Sequence, residues 1–211
     1  MHTFSQTKKK QGYLGLKIDF PKVYDRMEWS FLAQVLNNFG FCQQFIKIVY
    51  QCISTVRYAI LIKGGVGPTV TPARGLRQGN PLSPYLFILG SEVLARLTNK
   101  AAGNGAINRV KLGRTSLAIT KLMYANDVIL ICKAKQVEVS GMAECLSKYC
   151  AWPGQNIYLE KSGLFASHGV HSRFLTQIRN QRTSRSPPIP IQKQKKDFAH
   201  LKESIKSKIS G

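Results

Sequence analysis

Two rhythms of apolar residues run along this chain. The first is the short apolar run that reads as a strand. Tyr13 to Asp19 is one such run, and Pro21 limits the chain just beyond it. Leu122-Met123 and Val128-Ile129-Leu130-Ile131-Cys132 are two more. The polar pair between them, Asn126 and Asp127, predicts a hairpin with both residues at its tip. Val56 to Lys63 and Val66 to Thr71 flank Gly64-Gly65 in the same way, and a further strand pair is expected within Asn156 to Ser167, around Lys161-Ser162-Gly163. The second rhythm has helical spacing. Trp29, Leu32, Leu36 and Phe39 predict a helix over 28–39 that stops at Gly40. A second helix, over 43–54, would carry Phe45, Ile48, Val49 and Cys52 on one side. Arg74 to Pro84 is a glycine-containing loop feeding a helix that runs to about Lys100. Asn80 or Ser83 can cap it, with Pro81 or Pro84 in its first turn. Leu82, Leu86, Leu89, Val93 and Leu97 would face the core. After a loop over Gly103 to Gly113, a last helix is expected over 137–150, ended by Pro153-Gly154.

The resulting order of elements is an α+β plan, with helices packed on one antiparallel sheet. A length of 211 residues, 44% of them apolar, leaves room for one domain and a tail. Residues 1–12 are polar and basic and are expected to be disordered, and residues 13–170 form the domain. Residues 171–211 form a basic tail, broken by Pro187-Pro188-Ile189-Pro190. Beyond that break Phe198, Leu201, Ile205 and Ile209 would line an amphipathic helix.

Charge changes the picture most. The chain carries 31 basic and 10 acidic residues, a net charge of +21. Such a balance points to a polyanion partner, most simply nucleic acid. Acidic residues are so scarce that their positions are informative. Of the aspartates Asp19, Asp25, Asp127 and Asp197, three fall in two short stretches, one at a strand end and one at the expected hairpin. A strand-end Asp facing a hairpin Asp can hold the hard divalent cations used in phosphoryl or nucleotidyl transfer. The five cysteines contain no C-x-x-C pair and read as reduced thiols in an intracellular protein, acting in the nucleus or the cytoplasm. No apolar run approaches the ~20 residues of a membrane span, and no apolar signal core follows Lys8-Lys9-Lys10.

Four motifs then fall into a familiar order. They are Lys17-Ile18-Asp19 through Tyr24-Asp25-Arg26 with Glu28-Trp29, then Gly75-Leu76-Arg77-Gln78-Gly79-Asn80-Pro81-Leu82-Ser83-Pro84, then Tyr124-Ala125-Asn126-Asp127, and last Gly154-Gln155 through Glu160-Lys161-Ser162. Together they resemble the reverse transcriptase domain of non-LTR, LINE-type retrotransposons, especially the plant type, over about Leu16 to Ser167. The resemblance implies a right-hand polymerase palm with incomplete fingers and thumb. It also implies RNA-directed DNA polymerisation through two Mg²⁺ ions, with Mn²⁺ as a substitute, on an RNA template with a DNA primer and dNTPs, and no membrane partner. The ions would activate the primer 3′-hydroxyl and neutralise the leaving pyrophosphate. By the same resemblance Asp19 bridges the metals with Asp127 and position 126 beside it, and Ile18 or Phe20 offers backbone groups to metal or triphosphate. Tyr24 excludes a ribose 2′-hydroxyl, while Arg77, Gln78, Gly79 and Tyr124 contact the nucleotide or template. Lys161 protonates or neutralises pyrophosphate.

The sequence departs from that pattern at Asn126, where the family has a metal-binding Asp. An amide offers one carbonyl oxygen but removes a full negative charge. Pro21, Val23 and Asn80 are further departures. A truncated or degenerate copy of a retroelement is therefore expected, with impaired catalysis. The alternative is a catalytically inactive remnant that still binds nucleic acid.

Overall fold

In the computed structural model the described residues are 12–111, 118–124, 127–158, 161–167 and 169–180. They fall into two compact units. One draws on 1–21, 97–147 and 157–211, and the other on 22–96 and 148–156.

The first unit is built on an antiparallel sheet of four strands in the order β6-β7-β1-β8. These are β1 (Tyr13–Asp19), β6 (Lys121–Tyr124), β7 (Asp127–Lys133) and β8 (Gly163–Ala166). Leu14, Leu16 and Ile18 of β1 alternate onto the same face as Val128, Leu130 and Cys132 of β7. Most of that face, with Leu164, lines a small gap against Val139, Met142 and Ala143. The last three lie on a helix over Gln136–Ala151. On the other face Val110, Ile129 and Ile131 are buried, with Tyr13, Ile119 and Leu122 packed around them. Two of these, Val110 and Ile119, come from the short pair β4 (Val110–Lys111) and β5 (Ala118–Ile119). The junction between β7 and the following helix is tied by the buried carboxylate of Glu138. It accepts from the backbone N–H of Lys133 (3.0 Å) and from the backbone and side-chain N–H groups of Asn108 (3.2 and 2.8 Å).

The expected strand pair around Lys161 is corrected. Among the described residues that stretch holds one strand, β8, and its partner is β1. In the tail, a helix spans Ser172–Asn180. The expected amphipathic helix beyond Pro190 and the basic N-terminal stretch up to Gln11 lie outside the described residues.

The second unit opens with helix α1 (Trp29–Asn38) and helix α2 (Gln43–Ser54). Gly40 does end α1, at φ +86. Its N–H bonds to the Asn37 carbonyl and that of Phe41 to the Leu36 carbonyl, which is a Schellman cap. The buried face of α2 is Ile46, Val49 and Ile53, so the expected grouping of Phe45, Ile48 and Cys52 with Val49 is corrected: those three are exposed. Helix α3 (Leu82–Gly103) starts with Asn80 Oδ1 accepting the Leu82 N–H at 2.9 Å, the expected cap. Its buried line is Ser83, Leu86, Phe87, Gly90 and Leu94, one step round from the predicted leucines. Gly90 lies on this buried line, and a Cβ there would be 3.3–3.5 Å from side-chain atoms of Phe31, Met27 and Leu32. Strands β2 (Tyr58–Ile62) and β3 (Gly65–Val70) form the predicted hairpin, joined by Lys63 (φ 50) and Gly64 (φ 83).

The helix over Gln136–Ala151 is α4 and that over Ser172–Asn180 is α5. None of the helices is long and apolar enough to cross a membrane, among the described residues.

Candidate active site

Strands β1 and β7 end together. Their register runs from Tyr13↔Lys133 to Asp19↔Asp127, so the last residue of one faces the first of the other. Asp127 is therefore the opening residue of β7, paired with Tyr124 of β6, rather than part of the hairpin tip. Ala125 and Asn126 lie outside the described residues.

Residues directly opposite in a ladder have Cβ atoms about 5 Å apart, close enough for both carboxylates to share one cation. Two like charges so placed repel each other. Lys17 offsets part of that repulsion, with its Nζ 3.7 Å from Asp127 Oδ1. It precedes Asp19 by two positions, so strand alternation puts both on one face, away from Leu14, Leu16 and Ile18. The Lys17 and Asp127 side chains are 33% and 43% exposed, which makes this ion pair a weak contributor to stability and leaves the acids open to solvent.

The backbone of Asp19 is held on both sides. Its N–H donates to Ser162 Oγ at 3.1 Å, and its carbonyl accepts the Tyr158 N–H at 3.0 Å. Ile18 and Phe20 bury their side chains. Lys161 is exposed in the adjoining turn, and its ammonium lies 5.2 Å from the Tyr158 ring centroid, a cation–π contact.

No group of three or more His, Cys, Asp or Glu side chains converges among the described residues. The available donors are the two carboxylates with backbone oxygens. All-oxygen ligation of that kind fits a hard cation such as Mg²⁺, and it lacks the nitrogen and sulfur donors usual for zinc. None of the five cysteines forms a disulfide.

The other expected site residues lie in the second unit, where they form a cluster of their own. Tyr24 is half-buried in the turn after Pro21, and its ring stacks on Phe87 of α3 with centroids 5.0 Å apart. The loop before α3 is docked onto this turn. Gly75 N–H bonds to the Met27 carbonyl (2.8 Å) and Leu76 N–H to that of Tyr24 (2.7 Å). Trp29 Nε1–H donates to the Gly75 carbonyl at 2.7 Å, and Arg74 pairs with Glu28 at 3.2 Å. Gly75 has φ +99, and a Cβ there would meet the Asp25 carbonyl oxygen at 2.8 Å. Arg77, Gln78 and Gly79 follow and are exposed.

Sequence reasoning assigned no role to Lys17, Ser162 or Phe87. Lys17 was visible in principle, because period-two alternation already places it beside Asp19. Ser162 and Phe87 depend on contacts distant in sequence, for which no local signal exists.

This arrangement, a four-stranded antiparallel sheet with paired acids at a strand end, is that of a polymerase palm. Telomerase from Candida tropicalis, in an apo form truncated from its C-terminal domain, shares the fold with a TM-score of 0.59. The likeness covers 79% of this chain and 33% of that one at 16% identity. The chain belongs to the reverse transcriptase (RNA-dependent DNA polymerase) family, whose profile matches residues 1–198. Two of the relatives it matches are proteins of transposable elements. It is 26% identical over 147 residues to the uncharacterised 149 kDa protein of transposon TX1 from Xenopus laevis, covering 70% of this chain and 11% of that protein. It is 22% identical over 166 residues to a retrovirus-related Pol polyprotein of the type-1 retrotransposable element R2 from Popillia japonica, covering 78% of this chain and 26% of the polyprotein. An uncharacterised mitochondrial protein of Arabidopsis thaliana is 46% identical over 67 residues, 32% of this chain and 55% of that protein. The chain thus spans between 11% and 55% of the length of these relatives.

Proposed function

We propose that the chain carries the palm of a retroelement RNA-directed DNA polymerase, acting on an RNA template, a DNA primer and dNTPs with Mg²⁺, or Mn²⁺ in its place. The observation that carries this reading is the pairing of Asp19 with Asp127 across the ends of β1 and β7. Asp19 and Asp127 hold the cations, with a backbone carbonyl of Ile18 or Phe20 beside them. When bound, divalent ions lower the pKa of the attacking hydroxyl and neutralise the phosphates. Tyr24 sets sugar selection, and Phe87 keeps its ring in place. Arg77, Gln78, Gly79 and Tyr124 contact the nascent pair or template. Lys161 stabilises the charge on the leaving pyrophosphate. The high net charge suits a partner rich in phosphate.

Asn126 supplies an amide where catalysis favours a carboxylate, so turnover by this chain is slow. Primer extension on an RNA template tests this, with the chain run beside its Asn126→Asp and Asp19→Asn variants in Mg²⁺ and Mn²⁺. Asn126→Asp is expected to raise extension tenfold or more, since about 1.4 kcal/mol of transition-state stabilisation suffices for tenfold. Asp19→Asn is expected to abolish it. If neither the chain nor Asn126→Asp extends, yet RNA binding falls steeply with salt, the inactive nucleic-acid-binding reading replaces this one.

A further inference from the structure

Strand β8 is four residues long, and a serine stands immediately before and immediately after it. Its ladder with β1 runs from Leu14↔Ala166 to Lys17↔Gly163. Beyond each end of that ladder a hydroxyl takes over. At the start of β1, the Tyr13 N–H donates to Ser167 Oγ at 2.9 Å, and the Ser167 N–H returns to the Tyr13 carbonyl at 2.9 Å. At the other end, the Asp19 N–H donates to Ser162 Oγ at 3.1 Å. Ser162 Oγ–H donates onward to the Tyr158 carbonyl at 2.7 Å, while the Tyr158 N–H returns to the Asp19 carbonyl at 3.0 Å. Ser162 and Ser167 are 1% and 5% exposed. The two serines accept the same kind of bond, but only Ser162 accepts it from a residue that bears an acid.

We propose that Ser162 is a positioning residue for Asp19, fixing the direction of its carboxylate before any cation arrives. A buried hydroxyl whose proton is committed to the Tyr158 carbonyl has its lone pairs oriented, and one of them faces the Asp19 amide. Asp19 is the last residue of β1, where a strand would otherwise fray. With N–H and C=O both held, its Cα–Cβ direction is set by the neighbouring turn. This inference rests on the reading of Asp19 as a cation ligand. Groups that orient metal ligands from behind are worth about 10–100-fold in metal affinity.

The test is Mn²⁺ binding by the full chain, followed by electron paramagnetic resonance, with thermal melting run alongside. The site of interest is the one that Asp19→Asn removes. Ser162→Ala is expected to weaken that site by about tenfold. Ser162→Thr, which keeps the hydroxyl, recovers most of the affinity. Ser167→Ala loses the matching bond at the far end of β1 and leaves Mn²⁺ affinity unchanged, even where its melting temperature falls as much. If Ser162→Ala gives no cooperative melt, Ser162→Cys is read in its place, because sulfur keeps the shape and weakens the acceptor. Equal weakening by the Ser162 and Ser167 variants, or none by the Ser162 variants, overturns the positioning role alone. Failure of the unaltered chain to show an Asp19-dependent Mn²⁺ site overturns the polymerase reading, and this inference with it.

Discussion

The β1–β7 pair and the β2–β3 hairpin are alike in sequence and opposite in fate. Both are antiparallel, both are rich in Ile, Leu and Val, and both put apolar side chains on two faces. Yet Leu130 of β7 is 1% exposed, whereas Leu61 of β2 is 72% exposed. What separates them is cover. The β1–β7 pair has β6 and β8 on its edges, α4 against one face, and Val110, Ile119 and Leu122 against the other. The hairpin forms a sheet of its own two strands. An apolar run therefore fixes that a strand forms, while burial is decided by which other elements reach it. The covered pair is also the one that carries the acids, so the candidate site stands on the better-supported sheet, as a site needing fixed geometry requires.

This contrast can be broken most forcefully by Leu130→Ala. Removing a fully buried side chain that lines the gap against α4 is expected to cost about 2–5 kcal/mol in urea unfolding. Leu61→Ala is expected to stay within about 0.5 kcal/mol. Equal effects would mean that the hairpin is as well covered as the sheet.

A smaller effect is expected from alkali. Burial, and secondarily the Glu138 carboxylate, push the Cys132 thiol from 9.0 to about 12. The folded chain therefore holds that proton more tightly than the unfolded chain does. This contribution to stability is complete below pH 9.0 and is lost as pH rises through about 12. Roughly 1.4 kcal/mol should be gone one pH unit above the unfolded value. Unfolding curves at pH 9 and 10 for the chain and for Cys132→Ala measure it, and the variant should show the flatter dependence. Burial pushes Cys150 up to about 12 as well, so some slope remains in the variant.

The smallest change in stability is expected from Leu61→Lys, which places a charge on the exposed hairpin. Its unfolding midpoint should hardly move, while self-association followed by light scattering should fall, because charge on a strand edge blocks strand pairing between molecules. Unchanged association would place the sticky surface elsewhere.

The same contrast explains what the sequence made legible. β1, the two hairpins and helices α1 to α4 follow from local periodicity and from residues such as Gly40 and Asn80. Which face of a helix is buried does not. In α2 the stripe Phe45, Ile48, Cys52 is as apolar as Ile46, Val49, Ile53, and contact with the rest of the unit chooses between them. In α3 the bulky leucines suggested one face, but the buried face is the one containing Phe87 and Gly90. The pairing of β8 with β1 joins Leu14 to Ala166 and Lys17 to Gly163, far apart in the chain, and no local pattern announces it. The site was legible to the same degree. A strand-end Asp19 and an Asp127 expected at the hairpin tip were enough to predict that the two meet, although Asp127 opens β7 instead. The clasp by Ser162, in contrast, joins residues 143 positions apart and has no local signal.

The two glycines of the loop before α3 tolerate change differently. At Gly75 a methyl group would collide with the main chain of Asp25, which no rotamer can relieve. At Gly79 nothing lies within 4 Å, and only the backbone angle, φ +83, restricts the residue. Asparagine is the substitute that adopts this angle most readily. In a library of folded variants position 75 would stay glycine, while position 79 would drift toward asparagine. A motif that looks uniform in print would thus separate into one letter written by packing and another written only by handedness.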